Sequence, residues 1–385
     1  INAPTRTWPW DFKGSSHMIV RNNTFNYNAG RFGANGCHHA LFENNTFVRN
    51  GDHQSKGETG GLSLDYVVDM VVLGNSFTVT GQPIRSNNQG ETILSQAGDP
   101  NQMNVGVVKK ATATTIEDHK QEWQDFTDRI STSWQYAVHP TNYTIAIVDG
   151  LGTGQWRTIT HNNDTVLTVD RPWDVVPAPG SKYVITQWSA WQMLVRNNFL
   201  EGNNRGIWFY CGGNDVVIEG NKLKDSEGIY LRADQRLDSK RFNLAWDFLI
   251  ENNQVSRSIG QRPAYICSVL TVRQTQALFG TGTIGVEIRR NLVQTKEPNV
   301  GSFVTGEGYW NEVRSSTPDV LGKNIGILGT IFEKNTATGS KYGYRLSKSI
   351  SQTIIKDAVY VDVPEKTNES AFKESSKIGT VFISE

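Results

Sequence analysis

The chain has 385 residues, which suffices for one elongated repeat domain or for two to three ordinary domains. Lys plus Arg and Asp plus Glu number 38 each, so the formal net charge is zero and neither nucleic acid nor an anionic membrane surface is expected as the main partner. No apolar run is long enough for a membrane span, and three widely spaced Cys residues exclude a disulfide framework or a Cys-based zinc site.

The sequence repeats one short phrase along most of its length. The phrase consists of a few apolar residues, a polar corner, an Asn and an apolar residue two positions later, as in residues 18–25, 40–47 and 216–223. β-Branched and aromatic residues favour strands, whereas Asn tolerates the left-handed conformation of a tight corner. We therefore predict a strand, a corner and a second strand in each copy. The copies are marked by Asn23, Asn45, Asn75, Asn198, Asn221, Asn253, Asn291 and, more weakly, Asn335.

The spacing of these Asn residues predicts the fold. Successive members are 22, 30, 123, 23, 32, 38 and 44 positions apart. The shortest interval accommodates about three short strands at roughly 3.3 Å per residue, and stacked units bury apolar faces that one unit cannot. Leucine-rich repeats need a Leu consensus that is absent, and a β-sandwich would place turns about every 8–12 residues. The sequence therefore predicts an all-β, right-handed parallel β-helix whose Asn side chains stack at one corner.

Changes in the repeat predict four regions. These are N-terminal coils in residues 1–96, an inserted β-rich module in 97–188, the main coils in 189–348, and a last coil with a C-terminal cap in 349–385. In the module the Asn phrase is missing, and β-rich runs alternate with Gly- and Pro-containing turns. Nothing before residue 18 has the pattern of a cap for an exposed sheet end, so we also expect a missing N-terminal region.

The third strand of each coil carries polar and aromatic side chains at regular positions. These strands are predicted near residues 61–66, 90–95, 206–210, 228–234 and 264–267. Alternate side chains of a strand face opposite sides, so the residues between the core positions should face outward. Neighbouring coils lie about 4.8 Å apart, which would join these residues into one exposed stripe. The stripe consists of Asp65, Glu91, Trp208, Tyr210, Tyr230, Arg232, Asp234 and Tyr265.

The aromatic and basic members of this stripe are typical of a sugar-binding cleft. Trp208, Tyr210 and Tyr230 offer flat apolar faces with polar edges. Arg232 would orient sugar hydroxyls or a carboxylate, and His53, in the loop before the first of these strands, would assist in binding. The alternative for the aromatic residues is a stacked ladder without a ligand, and the alternative for His53 is an ordinary surface residue in a loop.

Three carboxylates, Asp65, Glu91 and Asp234, are the candidates for catalysis. Glycoside hydrolysis uses two carboxyl groups about 5–5.5 Å apart for retention or about 6.5–9.5 Å apart for inversion, and side chains on neighbouring coils fall near these distances. The alternative is structural for each of them. Asp65 and Glu91 would then be solvated charges, and Asp234 would form an ion pair with Arg232. The sequence leaves both interpretations open.

Through its Asn phrases and the Gly-Ile-aromatic strands at 206–210 and 228–231, the chain resembles the pectate-lyase-like right-handed β-helix superfamily. The resemblance covers roughly residues 18–96 and 189–348. It implies a groove along one sheet face that holds a sugar chain. The motifs of single families are absent: there is no adjacent Asp-Asp pair of the pectin-hydrolase kind, no dense acidic cluster of the pectate-lyase kind, and no Tyr-Gly-Phe-Asp-Pro segment.

Three functional hypotheses follow. The favoured one is a glycoside hydrolase that binds and cleaves a polysaccharide without a cofactor. The second is a polysaccharide lyase on a uronate-containing glycan, with Arg232 or His53 as the base and with room for a calcium ion. The third is a non-catalytic surface protein, adhesin or phage-tail component, for which we expect a homotrimer. All three predict a secreted, extracellular or cell-surface protein.

Overall fold

The computed structural model describes residues 2–3, 10–28, 30–52, 59–81, 90–96, 104–123, 125–126, 142–210, 212–236, 241–257, 264–272, 278–295, 301–307, 325–346, 349–368 and 381–384. All regular structure in these ranges is β-strand, and they contain no helix with the length and hydropathy of a membrane span. Three long sheets, here named A, B and C, are built from parallel strands, and an antiparallel sheet D is formed between residues 104 and 186.

Strands are numbered in chain order. Sheet A is formed by β1 (Asn2–Ala3), β4 (Thr24–Tyr27), β7 (Thr46–Asn50), β10 (Ser76–Thr80), β20 (Phe199–Glu201), β23 (Lys222–Lys224), β27 (Gln254–Ser256), β30 (Leu292–Gln294), β34 (Thr336–Thr338) and β38 (Val359–Val361). Sheet B is formed by β2 (Trp10–Lys13), β5 (Gly30–Asn35), β8 (Thr59–Ser63), β11 (Glu91–Ser95), β21 (Arg205–Phe209), β24 (Gly228–Arg236), β28 (Tyr265–Val272), β31 (Gly301–Glu307), β35 (Tyr342–Leu346) and β39 (Glu365–Thr367), with β25 (Arg241–Asn243) antiparallel to β24.

Sheet C is formed by β3 (Ile19–Arg21), β6 (His38–Glu43), β9 (Val67–Leu73), β19 (Ala190–Arg196), β22 (Gly213–Glu219), β26 (Ala245–Glu251), β29 (Thr283–Arg289), β33 (Ile331–Glu333), β37 (Thr353–Lys356) and β40 (Val381–Ser384), with β32 (Ile327–Leu328) and β36 (Ile350–Ser351) alongside. Sheet D is formed by β12 (Asn104–Val107), β18 (Lys182–Thr186), β15 (Thr144–Asp149), β16 (Trp156–Asn162), β17 (Val166–Val169), β14 (Thr115–Glu117) and β13 (Lys110–Ala111).

Each coil of the chain contributes one strand to sheet C, one to sheet A and one to sheet B. In one coil, β22 is followed by β23 and β24, and these pair in parallel with β26, β27 and β28 of the next coil. The chain is therefore a parallel β-helix, as the spacing of the Asn residues predicts. The predicted third strands are β8, β11, β21, β24 and β28, and all of them lie in sheet B.

The recurring Asn side chains stack at the corner between sheets C and A. In the middle of the ladder, the Asn198 Nδ2 donates to Asn221 Oδ1 at 2.9 Å, and the Asn221 Nδ2 donates to Asn253 Oδ1 at 3.0 Å and to the Val195 carbonyl at 2.9 Å. The same contact joins every successive pair from Asn23 to Asn335. Seven of the eight side chains are at most 1% exposed, so the ladder supplies the hydrogen bonds that buried corners require.

The residue before each ladder Asn has a positive φ, which turns the chain from sheet C into sheet A. This position is occupied by Asn22, Asn44, Gly74, Asn197, Gly220, Asn252, Arg290 and Lys334. Gly220 illustrates the constraint: its φ is +66°, and a Cβ would lie 2.4 Å from Asn197 Oδ1 of the preceding coil. Glycine and Asn meet this requirement at the smallest steric cost, which explains the polar corner of the phrase.

Sheet D has its own apolar core and contacts the β-helix at a group of Trp side chains. Trp156 of β16 packs edge to face against Trp188 and Trp191, with ring centroids 5.7 and 5.5 Å away. The Thr281 backbone N–H donates to the Val148 carbonyl at 2.8 Å, which joins β15 to the chain entering β29. Sheet D is therefore attached to the coils. The predicted region boundaries at residues 96, 188 and 348 remain a prediction.

Candidate functional site

The predicted stripe lies on the outer face of sheet B. Ile207 and Phe209 belong to the core enclosed by the coils, whereas Trp208 and Tyr210, which alternate with them, belong to a separate cluster outside it. The register of β21 and β24 places Tyr230 beside Trp208. The outward direction predicted from alternation is therefore correct.

The stripe is less exposed than the sequence predicts. Trp208 and Tyr230 are 1% and 2% exposed, Tyr265 is fully covered, and Tyr210 is half-buried. The rings cover one another: the centroids of Trp208 and Tyr230 are 4.2 Å apart, and those of Trp208 and Tyr210 are 5.6 Å apart. The prediction of an open aromatic surface is wrong for Trp208, Tyr230 and Tyr265, because large rings on neighbouring coils pack together when they share a row.

Guanidinium groups extend this aromatic stack at both ends. The Arg205 Cζ lies 4.2 Å from the ring centroid of Trp208, and the Arg232 Cζ lies 3.7 Å from that of Tyr210. Both Arg residues are at most 7% exposed. A cation over an aromatic face is stabilised most when both groups are removed from water. The stack holds Tyr210 firmly and leaves it as the partly accessible aromatic member.

Glu91 lies in a row of alternating charges near the amino-terminal ends of the same strands. Its carboxylate forms ion pairs with Arg205 of the next coil and, at 2.9 Å, with Arg31. Arg205 also lies 3.9 Å from the Glu227 carboxylate. All four residues are at most 7% exposed. On the strand between Arg31 and Glu91, a Cβ at Gly60 would lie 3.0 Å from Arg31 Nε, so the missing side chain provides the space that Arg31 crosses.

A second polar row lies at the carboxyl-terminal ends of the strands. It consists of Asn35, Asp65, Gln96, Tyr210 and Arg232 on neighbouring coils. The Gln96 backbone N–H donates to Asp65 Oδ1 at 2.7 Å, and the Asp65 N–H donates to Asn35 Oδ1 at 3.3 Å. Asn35, Gln96 and Tyr210 are half-buried, and Asp65 is 9% exposed. This row is the most accessible part of the predicted site.

The predicted catalytic carboxylates are not brought together. Leu94 pairs with Ser63, so Glu91 lies three residues before this contact and Asp65 two residues after it. Five residues correspond to about 16 Å along the strands. Asp234 lies on β24, three strands from β8, which is at least about 14 Å from Asp65. The expected spacing of a hydrolase pair is therefore wrong for these carboxylates, and a catalytic role for any one of them remains a prediction.

The remaining predicted residues have different outcomes. Asp234 is fully buried, and its carboxylate lies 3.5 Å from the Arg232 guanidinium, which is the ion pair of the structural alternative. His53 lies outside the described residues, so its role in binding stays a prediction. Within the described part of the chain, no group of three or more His, Cys, Asp and Glu side chains is arranged to hold a metal ion.

The prediction from sequence missed a polar row on the outer face of sheet C. It occupies the positions six residues before each ladder Asn, which hold six polar side chains and then two glycines: His17, His39, Asp69, Gln192, Asp215, Asp247, Gly285 and Gly329. Asp215 and Asp247 are exposed and occupy matching positions on β22 and β26. Partial desolvation, together with the Asp215 carboxylate, raises the pKa of Asp247 above its ordinary value. The constant six-residue offset is the sequence signal that could have identified this row.

The comparisons with known proteins found similarity to solved structures but none by sequence. No protein-family model matches the sequence, and no characterised protein matches it by sequence. Among solved structures, the chain is similar to PfbA, a surface adhesin of Streptococcus pneumoniae, with 10% identity, 92% of this chain and 84% of that chain covered, and a TM-score of 0.38.

Two phage proteins show weaker likenesses. The Gp54 tailspike of Acinetobacter baumannii bacteriophage AP22, solved in complex with A. baumannii capsular saccharide, has 8% identity, coverage of 94% and 53%, and a TM-score of 0.23. The tailspike gp61 of Pseudomonas phage phi297 has 8% identity, coverage of 85% and 62%, and a TM-score of 0.21. At these values, no functional conclusion follows from the likeness.

Proposed function

We propose that this protein binds a polysaccharide on the outer face of sheet B and holds it without cleaving it. The observation that carries this proposal is the partly accessible polar row at the carboxyl-terminal ends of the strands. Its members are Asn35, Asp65, Gln96, Tyr210 and Arg232. The five coils that bear them span about 19 Å at roughly 4.8 Å per coil, which suits an extended chain of several sugars.

The residue types of the row match the chemistry of sugars. Amide and carboxylate oxygens of Asn35 and Asp65 accept hydrogen bonds from hydroxyl groups, and the Gln96 amide both donates and accepts. The Tyr210 ring lies between Trp208 and Arg232, so its edge and its hydroxyl group are the parts that would contact a sugar. Arg232, held against Tyr210, would donate to hydroxyl or carboxylate oxygens.

The arrangement of the carboxylates favours binding over hydrolysis. A two-carboxylate mechanism requires an acid and a base within about 10 Å. Glu91 is instead engaged by Arg31 and Arg205, and Asp65 lies far from Asp234 along the sheet. A lyase would use Arg232 near a uronate carboxylate, and this remains the alternative for an acidic glycan. In either case we propose a secreted or surface location, where polysaccharides are encountered.

The first experiment screens the purified protein against a panel of neutral and acidic polysaccharides by affinity electrophoresis, followed by calorimetry on the best ligand. We expect Tyr210→Ala to weaken binding about tenfold, on the order of 1.4 kcal/mol, since it removes the Tyr210 hydroxyl and also the ring that holds Arg232 in place. Tyr360→Ala, which removes a half-buried Tyr from β38 of sheet A, is the matched control and should leave affinity unchanged. Equal loss in both variants, or no loss in either, would contradict the proposed site.

A second measurement tests the absence of cleavage. The bound polysaccharide is incubated with the protein, and new reducing ends and unsaturated uronate products are followed over time. We expect neither. If the protein cleaves the polysaccharide, and if Asp65→Asn abolishes cleavage but not binding, the function is hydrolysis at this row and the proposal of binding alone is wrong.

A further inference from the structure

The outer face of sheet C carries a continuous apolar stripe. One outward side chain per coil lies in register with the next, and all but one are aliphatic. The stripe consists of Ile19, Leu41, Val71, Leu194, Val217, Leu249, Glu287, Ile331 and Ile354. Each member alternates with a core residue, such as Val195 after Leu194 and Ile218 after Val217.

This stripe is accessible along its length. Ile19 and Ile354 are 63% and 36% exposed, and the members between them are half-buried. Nine strands at about 4.8 Å make the stripe about 38 Å long. Extended apolar surfaces of this kind on a folded protein mark sites of association.

A row of charged residues runs beside the stripe, two positions further along each strand. In coil order it consists of Arg21, Glu43, Leu73, Arg196, Glu219, Glu251, Arg289, Glu333 and Lys356. The signs follow the order plus, minus, neutral, plus, minus, minus, plus, minus, plus. When the row of one copy is placed against the same row of a second copy in reversed coil order, the match of charges depends on the alignment. The order of signs therefore favours one alignment over its neighbours.

We propose that the apolar stripe of sheet C binds a second copy of this chain, antiparallel, about a twofold axis between the fourth and fifth coils. In that alignment the charged row of one copy faces the same row of the other. Arg21 then faces Glu333, Glu43 faces Arg289, and Arg196 faces Glu219, so that every pair of charges has opposite sign. Complementary charges of this kind set the register of an interface more than its affinity.

The neighbouring alignment is disfavoured by the same row. A twofold axis through the fifth coil would place Arg21 against Lys356 and Glu43 against Glu333, and like charges opposite each other oppose association. In the favoured alignment, the apolar stripe places Val71 against Leu249 and Leu194 against Val217. Two of these four residues lie on each side of the axis, so the contact is self-complementary as a twofold dimer requires.

The size of this face fits a weak dimer. Three rows spaced two residues apart span about 13 Å, which with the length gives on the order of 500 Å² per copy. Stable standard interfaces bury about 800 Å² per partner, so dissociation in the micromolar range is expected. On the other side of the stripe, Asp69 faces Asp247 in this alignment. That single like-charged contact stands against three opposite-charged ones and contributes to the weakness.

Sedimentation velocity over a range of protein concentrations tests the proposal. We expect a monomer–dimer equilibrium that Val217→Lys shifts toward monomer at least about tenfold, because the ammonium group would be buried opposite Leu194 without a partner. Val48→Lys places the same charge at a half-buried outward position of β7 in sheet A and should leave the equilibrium unchanged.

A charge exchange tests the register. Glu43→Arg and Arg289→Glu should each weaken the dimer, and the double variant should restore it. The two residues lie five coils apart in one chain, about 24 Å, so restoration requires contact between copies. A monomer at all concentrations, a trimer, or a dimer that is insensitive to Val217→Lys would overturn the proposal. A dimer without restoration in the double variant would overturn the antiparallel register.

Discussion

Two polar rows are buried in this β-helix, and they differ in how they are built. The corner between sheets C and A carries a ladder of neutral amides that continues through eight coils, from Asn23 to Asn335. The outer face of sheet B carries a short row of alternating charges around Glu91. An amide donates and accepts, so the same residue can pair with itself in coil after coil. A carboxylate only accepts, so it needs a guanidinium on either side and cannot repeat.

This difference determines what each row contributes. The amide ladder provides hydrogen-bond partners for backbone and side-chain groups at every corner, and each added coil can extend it by one Asn. The charged row carries the cost of removing ions from water and is stable only when each charge is paired. Substitutions in the two rows should therefore lower the free energy of unfolding by different amounts. They should also differ in whether further substitutions can restore the lost stability.

The largest effect is expected for Glu91→Ala. It removes the carboxylate that pairs with both buried Arg31 and buried Arg205, and it leaves Arg205 only the Glu227 carboxylate at 3.9 Å. This should lower the free energy of unfolding by about 3–5 kcal/mol. Urea denaturation followed by circular dichroism measures the change. In the quadruple variant Arg31→Met, Glu91→Leu, Arg205→Met, Glu227→Leu, most of this loss should be recovered, since apolar groups replace the whole charged row. A quadruple variant no more stable than Glu91→Ala would argue against the desolvation account.

A somewhat smaller effect is expected for Asn221→Ala in the middle of the amide ladder. It removes the acceptor of the Asn198 backbone N–H and the donor to the Val195 carbonyl. Each of these two neutral groups costs about 1–2 kcal/mol when it loses its partner, the lower part of the range for buried polar groups, so a loss of about 2–4 kcal/mol is expected. Asn23→Ala at the accessible end of the ladder is the control and should cost about 1 kcal/mol. Equal losses at both positions would show that burial does not set the cost.

The smallest effect is expected for Asp247→Asn, on the polar row of sheet C. Because the pKa of Asp247 is raised in the folded protein, its ionisation disfavours the folded state, and this penalty is complete at pH values above the folded pKa. The variant should therefore melt at a higher temperature than the parent near neutral pH, and the difference should vanish below the ordinary carboxyl pKa of about 3.9. Asp215→Asn removes only the repulsion and not the desolvation of Asp247, so it should show the same pH dependence with a smaller amplitude. A difference that is independent of pH would exclude the electrostatic explanation.

The site was partly predictable from sequence. Alternation in strands such as 206–210 correctly predicted that Trp208 and Tyr210 leave the core. It did not predict the burial of Trp208, because exposure depends on which rings meet across coils. Nor did it predict the role of Glu91, because Arg31 and Arg205 lie 60 and 114 positions away in sequence. The sheet C row was predictable in principle, since it keeps a constant distance from each Asn.

The sequence by itself determined the β-helix and its Asn corner, because both depend on contacts between identical positions in successive repeats. Such contacts appear directly as a period in the chain. The tertiary structure alone decided which carboxylates meet which guanidinium groups, how far apart the candidate catalytic groups lie, and which aromatic rings are covered. These properties depend on the strand register and on the inserted segments of unequal length between coils. Both bring together residues that are far apart in the sequence, so no local sequence pattern predicts the contacts.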